Sequence, residues 1–158
     1  MWRRDRRRVL GGAVALLAGV AWARAAPLRV APLQFRLAGG GVARVLAEVA
    51  DTPRARRLGL MFRRSLPRGR GLLLWWPAPH MAVIWMQNMR FALDLVFIDA
   101  AGRVARIFHH VPPVAGPLYS AGRPVRAVLE LAAGEARRLG LHEGARVNLE
   151  TLSSGRRR

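Results

Sequence analysis

The sequence predicts an α+β fold in which a mostly antiparallel, barrel-like β-sheet carries two short helices. Three observations lead to this prediction. The apolar segments are short and are bounded by glycine and proline, as is typical of strands. Only two segments carry helix start and stop signals. The chain that follows the N-terminal segment is long enough for one hydrophobic core and too short for two domains.

The first 25 residues have the organisation of a secretory signal. A basic start is followed by an uncharged run over residues 9–23, and Ala23-Arg24-Ala25 forms an A-x-A cleavage site. Because a spanning helix needs roughly 20 apolar residues, this shorter run predicts no stable transmembrane anchor. Residues 6–10 fit the twin-arginine export pattern, with an ordinary Sec signal as the alternative. We therefore expect cleavage after Ala25 and a location in the periplasm or cell envelope.

Beyond this signal, the composition divides the chain into three parts. Residues 26–32 contain two prolines and predict a linker. Residues 33–151 predict a single globular domain, and residues 152–158 predict a disordered basic tail that ends in three arginines. No internal repeat is present.

The globular domain is expected to begin with a hairpin and a helix. Residues 33–37 alternate apolar and polar, and residues 42–50 extend again after a turn of three glycines. Thr52 and Pro53 are typical of the N-cap and first position of a helix, which we expect to end near Arg64. The apolar residues at helical spacing are expected to face the core: Ala55, Leu58 and Met61 or Phe62.

The middle of the chain predicts strands joined as a meander. These strands are residues 72–76, 82–86, 93–98 and 103–108. The first is expected to end at Pro77 and Pro79. Its consecutive tryptophans, Trp75 and Trp76, must point to opposite faces, so at least one is expected near a surface or a second packing layer.

The C-terminal part predicts the remaining elements. Residues 112–117 form an irregular proline-containing loop, and residues 125–131 form a strand. A short helix is expected over residues 133–139 with Gly140 at its end. Residues 146–150 are expected to close the sheet.

The charge of the chain is strongly positive, at +18. Removal of residues 1–25 takes away six arginines and one aspartate and leaves +13. All basic residues are arginine, which is the usage expected of a GC-rich genome, and they are scattered along the chain. The pattern predicts no specific nucleic-acid recognition and allows contact with anionic surfaces, polymers or lipid headgroups through the arginines. The absence of cysteine excludes disulfides, thiolate metal sites and a cysteine nucleophile.

Two motifs carry a family resemblance. Residues 59–63 read Gly-Leu-Met-Phe-Arg, and residues 85–88 read Trp-Met-Gln-Asn, followed by Leu-Asp-Leu-Val-Phe-Ile-Asp at residues 93–99. With these motifs, residues 45–150 resemble the bacterial and archaeal family called domain of unknown function 192. The resemblance implies a compact, mostly β domain that is often exported, and it implies no activity. This chain has Gln87, Met89 and Ala145 where the family usually has Lys, Thr and Asp.

Two carboxylates interrupt strands that otherwise read as core: Asp94 and Glu130. A buried carboxylate costs several kcal/mol unless it is paired or hydrogen-bonded. Asp94 is therefore expected either to have a structural partner, an arginine or backbone amides, or to serve as a ligand-binding or catalytic group. If the two side chains meet across the sheet, they form the carboxylate pair of a small hydrolase or lyase.

A groove is the second hypothesis for a functional site. Its candidate ligand-binding residues are Trp85, Gln87, Asn88, Asp94 and Glu130, with Trp85 stacking on the ligand and Asn88 orienting it. Loops on rigid sheets commonly carry binding residues. The alternative for Asn88 is a turn residue that bonds to its own backbone.

Metal binding is the third hypothesis. Soft and borderline ligands of the kind that hold copper outside the cytoplasm occur at His80-Met81, Met86, Met89 and His109-His110. Their spacing matches no metal motif, and no nucleotide-binding glycine loop occurs. The sequence thus predicts an exported, cofactor-free ligand-binding or accessory module of the envelope. Its ligand and any catalytic residues are unidentified, and the alternatives are the carboxylate enzyme and a copper-handling protein.

Overall fold

The computed structural model of the protein describes residues 27–149 and Leu152. The predicted signal at residues 1–25 and the rest of the predicted tail lie outside the described residues. In the described part of the chain, no helix is long and apolar enough to cross a membrane.

The first two strands form the predicted hairpin. Strand β1 (Val30–Arg36) pairs antiparallel with β2 (Val42–Ala50) through a short 3₁₀ helix at Ala38–Gly40. Side chains in β1 alternate between buried and exposed along its whole length. The strand begins within the segment predicted as a linker, because Ala31 already packs into the core and Val30 already pairs with Glu48.

Helix α1 (Pro53–Leu58) starts as the sequence predicts and ends earlier. The Thr52 hydroxyl accepts a hydrogen bond from the Ala55 N–H at 3.1 Å, and Pro53 occupies the first position. The helix stops at Gly59, whose φ of +51° is unfavourable for any other residue. Ala55 packs against the core as predicted. Leu58 is 47% exposed and Phe62 is 55% exposed, so the prediction that they face the core is wrong.

One curled, mostly antiparallel sheet of seven strands forms a half-barrel, in agreement with the predicted fold class. Its further strands are β3 (Arg70–His80), β5 (Leu93–Ile98), β6 (Val104–Val111), β8 (Val125–Ala132) and β9 (Arg146–Val147). The order is β6-β5-β8-β3-β2-β1-β9, and β2 and β3 are parallel. Since β8 lies between β3 and β5, the predicted meander holds for β5 and β6 and is wrong for the strands before them.

A separate two-stranded ribbon covers part of the sheet. It consists of β4 (Ile84–Trp85) and β7 (Leu118–Tyr119), so the predicted strand over residues 82–86 is shorter and lies outside the main sheet. Strand β3 runs through both of its prolines, with a shift of register after Trp75. The second helix, α2 (Glu135–Arg138), lies within the predicted helical segment.

The two edges of the sheet are linked at one end. Strand β9 pairs with β1, and the Val147 N–H also donates to the Gly102 carbonyl at 2.8 Å. The Val104 N–H donates to the Ala145 carbonyl at 2.8 Å. A Cβ on Gly102 would collide with the Val147 carbonyl, which explains why this crossing point requires glycine.

The sheet separates two hydrophobic cores. The inner core lies on its concave side and contains Leu33, Phe35, Leu73, Trp75, Ile98 and Leu129, among others. The outer core lies on the other side and contains Leu60, Leu72, Leu74, Met86, Leu95 and Phe97, among others. Because alternate residues of a strand point to opposite faces, β3, β5 and β8 are buried on both sides and read as continuous apolar runs.

Candidate functional site

The two carboxylates singled out in the sequence lie on opposite faces of the sheet. Asp94 pairs in register with Leu131, and Glu130 pairs with Leu95 on the neighbouring strand. Alternation therefore directs Asp94 toward the inner core and Glu130 toward the outer core. The structure does not bring them together, and the hypothesis of a hydrolase or lyase that uses Asp94 with Glu130 has no geometric support.

Asp94 has backbone partners. Its side chain is fully buried, Oδ1 accepts a hydrogen bond from the His110 N–H at 2.9 Å, and Oδ2 accepts one from the Ala136 N–H at 2.9 Å. His109 Nδ1 lies 3.8 Å from Oδ1. These bonds tie β6 and α2 to β5. Of the roles considered for Asp94, the geometry favours the structural one with backbone amides as partners.

Glu130 has a different environment. The residue is 5% exposed, and its Oε2 atom is buried without a hydrogen-bond partner among the described residues. Gly59, at the end of α1, packs against this carboxyl group, and a Cβ built there would lie 3.6 Å from Oε2. Burial in these apolar surroundings raises the pKa of Glu130 to about 8, and the charge of Arg63 opposes the shift only in part.

Arg63 has little effect on Glu130 because it is already paired. Its guanidinium binds Glu48 in a bidentate manner, with both N···O distances at 2.7 Å. This pairing lowers the pKa of Glu48 and raises that of Arg63. A cation that shares its charge with one carboxylate stabilises a second one less, so the cost of burial determines the protonation of Glu130.

Glu130 lies in an open cleft of about 260 Å³ between α1 and the β4–β7 ribbon. One wall includes Leu58, and the other includes Val83 and Trp85. These three side chains are between 45% and 50% exposed, so the cleft has an apolar, accessible mouth. The other lining residues are Pro53, Arg56, Arg57, Gly59, Leu60, Met61, Leu74, Trp76, Ile84 and Met89.

One side of the cleft combines an aromatic ring with a cation. The Arg56 guanidinium lies 5.3 Å from the centre of the Trp76 ring and donates a hydrogen bond to the Trp75 carbonyl at 2.9 Å. Trp76 stacks on His80 at 5.3 Å between ring centres. Trp75 is buried in the inner core, whereas Trp76 is half-buried and lines the cleft. The expectation that one of the paired tryptophans lies near a surface is therefore confirmed.

The predicted groove residues separate into two groups. Trp85 and Glu130 line the cleft, whereas Gln87, Asn88 and Asp94 do not. Gln87 and Asn88 are exposed, and Asp94 is buried on the other face of the sheet. Asn88 has φ +59°, and its carbonyl accepts a hydrogen bond from the Phe62 N–H at 3.0 Å. Asparagine tolerates this left-handed conformation better than most residues. The geometry therefore favours the alternative role of Asn88 in a turn.

Sequence analysis missed the contribution of α1 to the site, namely Arg56, Leu58 and Gly59. Leu58 was expected to face the core, so it was not considered as the wall of a cleft. A signal was present in Gly59, which opens the Gly-Leu-Met-Phe-Arg motif and ends the helix where the cleft begins.

Three of the residues considered as copper ligands have different surroundings. Met86 is buried in the outer core, His80 stacks on Trp76, and His109 lies near Asp94 in a different part of the sheet. Within residues 27–149 and Leu152, no group of three or more histidine, aspartate or glutamate side chains could hold a metal ion. The geometry thus gives the copper-handling alternative no support.

Comparison with known proteins identifies similar sequences and structures. The sequence model of the family DUF192, described as "Uncharacterized ACR, COG1430", matches residues 35–149. A crystal structure from Sinorhizobium meliloti 1021, described as a proposed transcription regulator, is 30% identical with a TM-score of 0.74. That match covers 77% of this chain and 95% of the other.

A second crystal structure is that of a protein of unknown function from Novosphingobium aromaticivorans DSM 12444. It is 31% identical with a TM-score of 0.72, and the match covers 86% of this chain and 91% of the other. Among curated proteins, none matches the sequence.

Proposed function

Because this chain belongs to the uncharacterised DUF192 family, its activity has to be argued from its own residues, and we propose that it is an exported ligand-binding or accessory module of the cell envelope. In this proposal, the cleft between α1 and the β4–β7 ribbon holds the apolar body of a ligand against Glu130. The observation that carries the proposal is the buried Oε2 atom of Glu130, which has no partner among the described residues at the wall of an open cleft.

A buried polar atom without a partner is costly. Leaving such an atom unsatisfied costs about 1–3 kcal/mol, and folded proteins contain few of them. Asp94 in the neighbouring strand satisfies both carboxylate oxygens, so the fold is able to provide partners for a buried acid. A ligand group that bonds to Glu130 would recover this cost on binding, which favours a role in recognition.

The chemistry of the cleft limits the ligand. With its pKa raised to about 8, Glu130 is mostly protonated at neutral pH and offers one O–H donor and one carbonyl acceptor without charge. Arg56 and Arg57 add positive charge to the lining. The proposed ligand is therefore uncharged or anionic, with a hydroxyl or carbonyl group for Glu130 and an apolar part that contacts Leu58, Val83 and Trp85.

The name of the Sinorhizobium protein suggests a different class of function, transcription regulation. The two described helices of this chain have six and four residues. Helical readers of DNA place a longer recognition helix in the major groove. Arg56 and Arg57 are the basic residues of the cleft lining, but the apolar walls and the uncharged acid suit the body of a small ligand better than a sugar-phosphate backbone. Ligand binding is therefore the function that the geometry supports best.

The proposal is tested with three probes that each carry a chain of ten carbons: decyl maltoside, decanoate and decyltrimethylammonium. Each is titrated at neutral pH into the protein while its amide signals are recorded by NMR. The uncharged and anionic probes are expected to shift Gly59, Val83 and Trp85 in a saturable manner, and the cationic probe is expected to bind more weakly. The absence of a saturable shift with any probe, or a preference for the cationic one, would refute the proposal.

Two variants locate the binding. Trp85→Ala removes an exposed wall of the cleft and should weaken binding about tenfold, which corresponds to about 1.4 kcal/mol. Val114→Ala is the matched control, because Val114 is 50% exposed and lies outside the cleft lining. Equal affinities of the two variants would place the probe elsewhere on the surface.

Export is the second part of the proposal. The basic start, the uncharged run over residues 9–23 and the Ala23-Arg24-Ala25 site support it. Intact-mass measurement of the envelope fraction should give a chain that begins at Ala26, and a chain that begins at Met1 would contradict this. Replacing Arg6 and Arg7 by lysine should block export by the twin-arginine route, whereas normal export of that variant would indicate the Sec route.

A further inference from the structure

A second surface of the protein places three arginines directly side by side. Arg36 in β1 pairs in register with Arg146 in β9, and Arg146 forms a β-bridge with Arg103. All three side chains are exposed on the outer face of the sheet, while their chain neighbours Phe35, Val147 and Val104 are buried. We call these three residues the arginine row.

The three positive charges of the row lie next to one another. Residues directly opposite each other in a sheet have Cβ atoms about 4.5–5.5 Å apart, and like charges in such positions destabilise the pair. In the described part of the chain, no member of the row forms an ion pair. The nearby Asp99 carboxylate accepts bonds from the Ala101 and Arg103 amides and lies 3.7 Å from Arg123. The protein keeps three positive charges together despite their mutual repulsion, and this favours a partner outside the chain.

The surface around the row is amphiphilic. Arg44 lies on the same outer face of the hairpin, and so do the aliphatic side chains of Val30 and Val42, which are 50% and 44% exposed. A groove of about 990 Å³ runs beside Arg36 and Arg146. Its other lining residues are aliphatic, small or polar and uncharged: Val30, Ala31, Pro32, Gln34, Val42, Ala100, Ala101, Gly102, Val147, Asn148, Leu149 and Leu152.

We propose that the arginine row and the aliphatic residues beside it dock the protein onto the surface of a bilayer that contains anionic phospholipids. Guanidinium groups bind phosphate in a bidentate manner, so the row is complementary to a layer of anionic headgroups. Exposed aliphatic side chains between basic ones can enter the headgroup region. None of the described residues that line the groove is aromatic, so the surface lacks the stacking platform that single-stranded nucleic acids use.

This docking surface is independent of the Glu130 cleft, because the two sites share no lining residue. Failure of either proposal leaves the other unaffected.

The test compares three full-length proteins for binding to vesicles of phosphatidylcholine with and without phosphatidylglycerol. They are the wild type, a variant with Arg36, Arg103 and Arg146 changed to glutamine, and a control with Arg54, Arg64 and Arg137 changed to glutamine. The control residues are exposed and form no ion pair within the described part of the chain. Both variants lose the same charge and keep residues 1–26 unchanged.

The row variant is expected to lose on the order of a hundredfold in partition to the anionic vesicles, since each basic residue near such a surface contributes about 1 kcal/mol. The control should stay within about threefold of the wild type, because salt screens distant charges. Vesicles with a paramagnetic anionic headgroup should broaden the NMR signals of Gln34, Arg36, Val42 and Arg146.

Equal losses in the two variants, or broadening confined to other residues, would overturn the proposal. The same proteins are also titrated with a DNA duplex. If the row substitutions weaken binding to the duplex and leave binding to vesicles unchanged, the surface is a nucleic-acid site instead.

Discussion

Asp94 and Glu130 are both acids within apolar strands, and their surroundings give them different properties. Asp94 accepts hydrogen bonds from two backbone N–H groups. Glu130 is buried beside apolar side chains, and its Oε2 atom has no hydrogen-bond partner among the described residues. The sequence predicts that Asp94 needs a partner, because burial of any carboxylate requires one. The sequence does not reveal that Glu130 is buried without such a partner among the described residues, because the partners of a buried acid come from segments that are distant in the chain.

The first prediction concerns Asp94. Asp94→Ala should lower the free energy of unfolding by about 2–5 kcal/mol, because it leaves the His110 and Ala136 amides without acceptors in a buried site. Asp94→Asn, which keeps one acceptor oxygen, should cost less. The measurement is urea-induced unfolding at neutral pH. An unchanged midpoint in the alanine variant would show that these bonds contribute nothing to stability.

The second prediction is a pH dependence caused by Glu130. Its pKa rises from 4.5 in the unfolded chain to about 8 in the folded protein, so the folded state binds more protons between these values. The stability that the protonated form of Glu130 confers is therefore complete below a pH of about 4.5. It is lost progressively as the pH rises toward about 8, by about 1.4 kcal/mol per pH unit at most.

Glu130→Gln isolates this effect, because glutamine has a similar shape and does not titrate. The difference in unfolding free energy between the variant and the wild type should change with pH from about 5 to about 8 in favour of the variant, and then level off. The other carboxylates are common to both proteins and cancel in the comparison. A difference that stays constant over this range would mean that Glu130 is ionised in the folded protein at neutral pH.

The segment between β4 and β5 contains Asn88, whose role is either to bind a ligand or to make a turn. Asn88 has a φ of +59°. Its carbonyl accepts a hydrogen bond from the Phe62 N–H, which connects this segment to the residues that follow α1. The Asn88 Nδ2 group lies 4.0 Å from Sδ of Met61, which lines the cleft. The segment therefore supports the cleft from outside, and Met89 is the residue next to Asn88 that reaches the lining.

Substitution of Asn88 tests this assignment. Asn88→Ala should lower the unfolding free energy by about 1–2 kcal/mol, because alanine is disfavoured in the left-handed conformation. Asn88→Gly should retain the wild-type stability, because glycine adopts that conformation without penalty. Thermal melting gives the stabilities, and titration with decyl maltoside gives the affinity. A variant with an unchanged melting temperature that no longer binds the probe would instead make Asn88 a binding residue.

Elements that depend on local signals were predicted from the sequence, and elements that depend on distant contacts were not. Local signals were sufficient for the β1–β2 hairpin and for the start of α1, because turn glycines and the cap at Thr52 act over a few residues. The end of α1 was missed because Gly59 was not recognised as a helix terminus. The parallel pairing of β2 with β3 and the insertion of β8 between β3 and β5 depend on contacts far apart in the sequence.

The positions of the Glu130 cleft and of the arginine row both follow from a sheet that has apolar side chains on both faces. Strands β3, β5 and β8 form its doubly buried centre, so their inward and outward residues belong to different cores. Among the described residues, α1, the ribbon and their connecting segments cover much of the outer core, and the cleft lies where these coverings meet. The first strand and the last described strand, β1 and β9, form the edge that carries two members of the arginine row.

The fold class could be predicted because continuous apolar runs and glycine-rich turns report directly on strands. The cleft could not be predicted, because its lining comes from the α1 segment, β3, the β4 segment and Glu130 of β8, which are brought together only by the topology. Trp85 was found because a tryptophan in the family motif can stack on a ligand, and Glu130 was found because a carboxylate within an apolar strand is unusual.

The most direct test of the central claim is the NMR signal of the Glu130 carboxyl carbon in protein labelled with ¹³C-glutamate. The Glu130→Gln variant identifies the signal, and decyl maltoside is then added at neutral pH. We expect the chemical shift of a protonated carboxyl group that titrates near a pH of about 8 and moves saturably as the probe binds. The shift of an ionised carboxylate, or a protonated signal that the probe leaves unchanged while it binds, would contradict the role of Glu130 as the polar contact of the cleft.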